Sequence, residues 1–300
     1  MAEKPLVSVC IPVYNGAKFV QEALDSLTSQ TYRNLEVIIS DDCSEDNTIQ
    51  ICEKFQEKTG FPTFIYRHKP EGIGANWNHC IEKANGSYIK FLFQDDILEP
   101  ACIEKMLATF SVYPEVGLVA CKRIFIIDSL YEGTPKIKKW LDDYGNLQKS
   151  LPTQPHNGIY LLDRSVFKYR TFFDKPFNKI GEPTAVMFRR ELFDELGPFN
   201  TALKQMLDYE YWYRILKEHP IAVLDEALIK FRLHEDQTTA RNKTNKISER
   251  MSYIRFIEKE LFFYLSFGHQ LELIRNKTIR LIRKIGKITL NGITFGKKSI

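Results

Sequence analysis

The chain has 300 residues, of which 44% are hydrophobic and 27% charged, and its net charge is +4. This is the composition of an ordinary globular protein, and the length predicts one large domain, or one domain with an appendage. Such a small net charge gives no indication of nucleic-acid binding. The N-terminus is polar and no apolar run reaches the roughly 18 residues that a membrane span needs. We therefore expect a cytoplasmic protein without a signal peptide.

Strand-like and helix-like segments alternate through the first 128 residues. The sequence predicts strands over 6–14, 35–40, 63–66, 88–93 and 116–127, with helices over 17–30, from residue 46, over 76–84 and over 100–113. This alternation predicts an α/β fold with an open, mostly parallel sheet covered by helices on both faces. In such sheets ligands bind at the carboxyl ends of the strands.

The pattern changes after residue 128. Residues 129–180 contain four prolines and little periodicity, which predicts irregular structure that includes a mobile loop. A strand over 184–188, helices over 191–196 and 208–218, and strand pairing within 221–233 are predicted next. From about residue 245 the sequence is helical and basic in character.

Polar residues follow three of the predicted strands: Tyr14-Asn15, Asp41-Asp42 and Asp95-Asp96. Because these strand ends meet at one edge of the sheet, a site is more plausible than three solvated loops. The adjacent carboxylates of Asp95 and Asp96 repel each other, and a divalent cation with oxygen ligands would relieve that repulsion. The alternative for either pair is the capping of the helix that follows.

Two further residues have the chemistry of a site. Asp208 begins a helix rich in Tyr and Trp, where a carboxyl group can have a raised pKa and act as a general base. Its alternative role is a helix N-cap. His234 ends an apolar strand and lies near Arg232 and Gln237, a grouping suited to phosphate or metal contact, although a lone histidine is more often structural.

Six segments occur in a characteristic order: IPVYNGAKFVQEALDSLTSQTY, LEVIISDDCSEDNT, YIKFLFQDDI, GEPTAVMFRRELFDELGPFN, LDYEYWYRI and FRLHEDQTT. Together they resemble the family 2 glycosyltransferases, which are inverting enzymes of the GT-A fold. The resemblance covers roughly residues 5–240. It implies a GT-A catalytic domain over 1–240, with a Rossmann-like mixed sheet flanked by helices, and a C-terminal basic helical extension over 241–300.

The resemblance also implies roles for individual residues. Asp208 is the catalytic base, Asp96 binds a divalent metal (Mn²⁺ or Mg²⁺), and the acceptor side is shaped by Glu182, Trp212 and Arg214. The nucleotide-sugar donor is contacted by Pro12, Tyr14, Asn15, Asp42, Asn76, Asp95 and His234. Phe93 and Leu207 stand where many relatives carry a further acid.

The function that follows is inverting transfer of a sugar from a nucleotide-diphosphate donor, a UDP- or dTDP-sugar, to an acceptor hydroxyl. The product would belong to a cell-surface polysaccharide or a glycolipid. The alternative is a catalytically inactive module that binds a nucleotide sugar or a carbohydrate. A dinucleotide-binding dehydrogenase is disfavoured because the first strand is followed by Asn15-Gly16 and no G-x-G-x-x-G motif.

The last segment of the chain is basic. Residues 275–300 contain eight Lys or Arg and no Asp or Glu, with isoleucines and leucines between them. A basic amphipathic helix predicts contact with a membrane surface, here the inner face of the cytoplasmic membrane, and would suit a lipid-linked saccharide acceptor. The alternative is a helical hairpin that packs on the catalytic domain and leaves its basic face in solvent.

Overall fold

The computed structural model describes residues 4–234 and 249–279, and a nine-stranded mixed sheet lies at the centre of these residues. The strands are β1 (Val7–Val13), β2 (Leu35–Asp41), β3 (Thr63–Arg67), β4 (Tyr88–Phe91), β5 (Ile97–Leu98), β6 (Leu118–Ile127), β7 (Ile159–Leu162), β8 (Val186–Arg189) and β9 (Ile221–Leu233).

Helices connect and cover the strands. The α-helices are α1 (Val20–Thr28), α2 (Thr48–Lys58), α3 (Ile73–Glu82), α4 (Cys102–Val112), α5 (Pro135–Tyr144), α6 (Glu191–Leu196), α7 (Leu207–Glu218), α8 (Arg250–Phe256) and α9 (267–279). A π-helical turn (Ile257–Leu261) and a 3₁₀ turn (Phe262–Tyr264) lie between the last two.

The order of the strands determines which loops meet. The sheet runs β3-β2-β1-β4-β8-β6-β9-β5, and β7 also pairs with β9. Strands β1 to β4 are parallel, and β8 is antiparallel to both β4 and β6. Since β9 is parallel to β6, the carboxyl ends of β1, β2, β4, β6 and β9 lie at one edge of the sheet.

Two hydrophobic layers cover the sheet, one on each face. In β1, Val9 and Ile11 point into the layer formed with α1, α2 and α4, whereas Cys10 points into the layer formed with α3 and α7. This alternation is the two-residue period of a strand buried on both faces. Each fully buried Val, Leu or Ile contributes about 1.5–3 kcal/mol to the stability of the fold. Both layers therefore hold the sheet edge in place.

The predicted α/β sheet with helices on both faces is confirmed, but the irregular structure predicted for residues 129–180 is found in only part of that segment. This segment contains α5, β7 and a 3₁₀ turn (Arg164–Lys168). Helix α5 has no buried residue, but Ile137, Trp140, Leu141 and Tyr144 have the i, i+3, i+4, i+7 spacing of an apolar helix face. The helix start is capped, because the Thr134 hydroxyl accepts the Ile137 N–H. Residues 221–233, predicted as strand pairing, form one long strand.

The described C-terminal residues pack against the rest of the chain. Tyr253, Phe256, Ile257, Leu261 and Leu265 are buried in the same layer as α7. The division into domains at residues 240 and 241 stays a prediction, and part of both predicted domains lies outside the described residues. Among the described helices, none is long and apolar enough to cross a membrane.

Candidate active site

The loops that follow β1 and β2 are fastened together by their own polar groups. The Asp42 N–H donates to the last carbonyl of β1 at 3.0 Å, and the Asn15 side-chain oxygen accepts the Glu45 N–H at 2.8 Å. Asn15 has a left-handed backbone, with φ 45°, which Asn tolerates better than most residues. Four of the residues predicted to contact the nucleotide-sugar donor therefore lie in one corner of the sheet edge: Pro12, Tyr14, Asn15 and Asp42.

A histidine that the sequence analysis missed joins this corner. His68 Nε2 lies 3.5 Å from Asp42 Oδ1 and 3.0 Å from Asn76 Oδ1. Burial raises the pKa of Asp42, and the proximity of His68 opposes that rise. Asp42 Oδ1 is buried and has no hydrogen bond to any described residue. The corner thus presents an acceptor oxygen that a bound N–H group could satisfy.

Gln94 connects the end of β1 to the carboxylate pair after β4. Its side chain accepts the Tyr14 N–H at 2.8 Å and donates to the Tyr14 carbonyl at 3.1 Å. Gly16 allows this approach, because a Cβ atom there would lie 2.3 Å from Gln94 Oε1. The amide side chain therefore holds the two loops in a fixed relation.

Asp95 and Asp96 face the end of β9. Asp95 Oδ2 lies 3.0 Å from His234 Nε2, and Asp96 Oδ1 accepts the Arg232 N–H at 3.1 Å. The Arg232 guanidinium also donates to the Asp95 carbonyl at 3.0 Å. Asp96 is only 2% exposed, and burial, with the neighbouring Asp95 charge, raises its pKa well above the ordinary range. Gln237, which the sequence grouped with these residues, lies outside the described part of the chain.

A cation bound at Asp95 and Asp96 would reduce the repulsion between their two carboxylates. The described residues contain no cluster of three His, Cys, Asp or Glu side chains that could hold a metal ion alone. Mg²⁺ and similar ions are, however, usually bound through one or two carboxylates together with substrate phosphates. Asp95 and Asp96 fit such a substrate-completed site, in which Phe93 adds no third carboxylate.

A buried cation from β6 lies on the other side of Asp96. The Arg123 guanidinium pairs with Glu182 and packs on the rings of Phe125 and Trp140, 5.1 and 6.0 Å from the ring centres. Burial lowers the pKa of Arg123 to about 10, and the nearby Asp96 charge opposes that shift. Arg123 therefore remains charged at neutral pH and partly balances Asp96.

Asp208 is the second residue of α7. It is half-buried, and Asp208 Oδ2 accepts the Asn178 side-chain N–H at 3.0 Å. Burial raises its pKa to about 7, the hydrogen bonds oppose the rise, and the Glu249 charge adds to it. Glu249 in turn accepts the Gln205 and Met206 N–H groups at 3.0 and 3.1 Å. A carboxyl group with a pKa near 7 has the proton affinity that a general base needs at neutral pH.

The three acceptor-side residues lie in different surroundings. Glu182 is near the cleft, between the Arg123 guanidinium and Gly181. Trp212 has no exposed surface and donates to the Gly181 carbonyl at 3.0 Å, so it can shape the site only through the backbone that it supports. Arg214 donates to the carbonyls after α6, at 2.7 and 2.8 Å, on another side of α7 from Asp208.

Contacts link the carboxyl groups across the sheet edge. Thr184 binds both Asp96 and the Phe93 N–H, and the Asn178 amide donates to both Asp208 and the carbonyl preceding Glu182. The sequence analysis missed His68, Gln94, Arg123 and Asn178. His68 was detectable because it lies two residues after the strand predicted over 63–66, whereas nothing local to Asn178 indicates its contact with Asp208.

Comparison with known proteins agrees with this geometry. The sequence profile of Glycosyl transferase family 2 matches residues 8–197. An uncharacterized glycosyltransferase of Rickettsia typhi is 29% identical over 78% of this chain and 66% of its own length. An uncharacterized protein of Mycobacterium tuberculosis is also 29% identical, over 81% of this chain and 70% of its own length.

Solved structures share the fold. Staphylococcus aureus TarS in complex with UDP-GlcNAc has a TM-score of 0.60 at 20% identity, over 85% of this chain and 64% of the TarS chain. The mannosyltransferase PcManGT of Pyrobaculum calidifontis, in complex with GDP-Man and Mn²⁺, has a TM-score of 0.59 at 17% identity, over 86% and 64%. The profile match covers more than half of the chain, and the chain therefore belongs to glycosyltransferase family 2 and has the GT-A fold.

Proposed function

We propose that the chain transfers a sugar from a nucleotide-diphosphate donor to an acceptor hydroxyl with inversion at the anomeric carbon. The observation that carries this proposal is Asp208: a half-buried carboxyl group with a pKa of about 7, linked through Asn178 to the backbone beside Glu182. This arrangement supports a general base at the start of α7.

The nucleobase of the sugar donor would bind in the corner around Asp42. Asp42 Oδ1 lacks a hydrogen bond to any described residue, and the ring N–H of uracil or thymine would satisfy it. We therefore propose a UDP- or dTDP-sugar. TarS was solved with UDP-GlcNAc and PcManGT with GDP-Man, and guanine also offers N–H donors, so GDP-sugars are the competing donors in any test.

The chemistry is a single displacement. Asp208 takes the proton of the acceptor hydroxyl as that oxygen attacks the anomeric carbon. The bond between the sugar and the phosphate breaks on the opposite face, and its electron pair leaves with the diphosphate. A divalent cation, when bound at Asp96, supplies positive charge at the leaving diphosphate. His234 and Arg232, which contact Asp95, add hydrogen-bond donors there.

The acceptor side has the chemistry of a saccharide site. Glu182, held by the buried Arg123, offers a partly exposed carboxylate, and Trp140 stacks parallel to Phe231. Aromatic rings with adjacent charged groups suit the apolar faces and hydroxyls of a sugar ring. We propose a saccharide or lipid-linked saccharide acceptor, with a product in cell-surface polysaccharide or glycolipid synthesis.

Donor turnover tests this function. UDP-, dTDP- and GDP-sugars would be incubated with the chain and Mn²⁺, and the released nucleoside diphosphate would be measured with and without saccharide acceptors. General-base help typically contributes ~10²–10⁴-fold, so Asp208→Asn should lower turnover by that factor while the donor still raises the melting temperature. Asp194→Asn, which changes an exposed carboxylate, is the matched control.

Two results would contradict the proposal. An Asp208→Asn variant with the turnover of the unaltered chain would remove Asp208 from the chemistry. A donor that binds but is never cleaved, with any metal or acceptor, would favour the alternative of a binding module.

A further inference from the structure

The C-terminal helix α9 carries apolar side chains on its outer side. Phe263 is 88% exposed and Phe267 is 74% exposed, and Leu271 and Ile274 are both 50% exposed. Phe267, Leu271 and Ile274 are spaced four and three residues apart, which places them on one face of a helix. Phe263 lies in the 3₁₀ turn just before α9, and we call these four exposed residues the outer apolar stripe.

The outer apolar stripe is held in a fixed position on the catalytic domain. Gln270 donates to the carbonyls of Phe262 and Leu265 at 3.1 and 3.2 Å, which fastens the start of α9 to the turn that carries Phe263. His269 packs edge-on against Phe173, with ring centres 4.7 Å apart. The inner side of α9 is buried at Leu273, so the helix both docks on the domain and leaves its stripe outside.

Charge surrounds the outer apolar stripe in a particular way. Arg275 and Lys277 lie on the two sides of the stripe, about 80° from its centre at 100° per residue, and both are exposed. Glu272 lies towards the opposite side of the helix. The sequence continues with six more Lys or Arg and no acid in residues 280–300. An apolar strip between basic side chains is complementary to an anionic lipid surface, where each Lys or Arg contributes about 1 kcal/mol.

We propose that α9 lies in the plane of an anionic membrane and inserts the outer apolar stripe between the lipid headgroups. Arg275 and Lys277 contact the phosphates beside it. The inserted residues are side chains that the fold leaves in water, so docking requires no unfolding of the domain. Delivery of a lipid-linked acceptor to Asp208 at that surface rests on the proposed function, whereas the docking itself does not.

Vesicle binding tests the docking surface. The whole chain would be centrifuged with phosphatidylcholine vesicles, with and without phosphatidylglycerol, at low and at high salt. We expect binding to the anionic vesicles that weakens with salt. The double variant Phe267→Ser with Leu271→Ser should lower the partition coefficient about tenfold or more. The matched control is Leu130→Ser with Val112→Ser, two residues that are also exposed, 75% and 68%.

Three outcomes would overturn the proposal. The first is an unaltered chain that fails to bind the anionic vesicles at low salt. The second is a stripe variant that binds as well as the control variant. The third is a stripe variant with a lower melting temperature or a changed oligomeric state in the absence of lipid, since the stripe would then be covered by residues 280–300 or by a second copy. Nucleoside diphosphate affinity, measured in parallel, reports separately on the proposed function.

Discussion

The proposed donor side and the proposed acceptor side of the site are built in different ways. On the donor side, Asp42, Asp95 and Asp96 each follow a strand of the parallel part of the sheet, and their loops are joined by Gln94 and backbone groups. On the acceptor side, Asp208 begins a helix and is bound by Asn178, which comes from a connecting segment. In the first case strand order places the residues, and in the second case long-range packing does.

The two sides also differ in the groups that surround a buried acid. Asp96 is almost fully buried beside another acid, and a backbone N–H, Thr184 and nearby cations stabilise its charge. Asp208 is half-buried with one side-chain donor and the Glu249 charge in its vicinity. Burial raises the pKa of both acids, but Asp96 lies among more groups that stabilise its charge than Asp208 does.

The largest effect that separates the two sides is expected at Asp96. Asp96→Ala should remove the metal-dependent part of nucleoside diphosphate binding, by about 30-fold or more, as for a buried charged partner in other complexes. Titration calorimetry with UDP, with Mn²⁺ and with chelator, measures the loss. Glu57→Ala, at an exposed acid on α2, serves as the control. If the Asp96 variant bound UDP with the same Mn²⁺-dependent affinity as the unaltered chain, Asp96 would not be a metal ligand.

An effect of comparable free energy is expected on stability at Asp208, since a factor of about 30 corresponds to about 2 kcal/mol. Its folded pKa of about 7 lies above the ordinary 3.8, so the folded state binds the proton more tightly, and this group destabilises the fold increasingly as pH rises from about 4 to about 7. Asn imitates the neutral form. The stability of Asp208→Asn relative to the unaltered chain should therefore grow by about 2–3 kcal/mol between about pH 5 and about pH 8.

Urea unfolding of both chains at the two pH values measures this difference. The Asp194→Asn variant should show no comparable change, because Asp194 is exposed. A stability difference that does not depend on pH would mean that Asp208 is not a protonatable buried acid, and the contrast with the donor side would lose its electrostatic basis.

The smallest effect is expected at Glu249, which connects the C-terminal region to the acceptor side. Glu249→Gln keeps one acceptor oxygen for the Gln205 and Met206 N–H groups, loses the acceptor of the Lys204 N–H, and removes a charge that raises the pKa of Asp208. The acidic limb of the pH–rate profile should move to lower pH by roughly 0.3–1 unit. Glu272→Gln, at an exposed acid on α9, is the control and should leave the acidic limb in place. If the limb does not move in the Glu249 variant either, the Glu249 charge does not raise the pKa of Asp208.

Much of the donor side could be predicted from local patterns. Apolar runs of strand length that alternate with amphipathic helices predicted β1 to β4, and therefore predicted that the residues after them would meet at one edge. Helix α5 was missed although Ile137, Trp140 and Tyr144 have helical spacing, because the prolines around it favoured an irregular segment. The partners of Asp208 could not be predicted from local patterns either, because Asn178 and Glu249 are 30 and 41 positions away in the chain.

The sequence by itself determined the alternating α/β architecture, the polar residues that end its strands and the family to which the chain belongs, because each depends on short-range periodicity or on local motifs. Only the tertiary structure decided that His68 joins Asp42, that Arg123 lies beside Asp96, and that Trp212 is buried away from any ligand. Those outcomes depend on which segments meet across the sheet and on how much water remains around each group, and neither is encoded in the spacing of neighbouring residues.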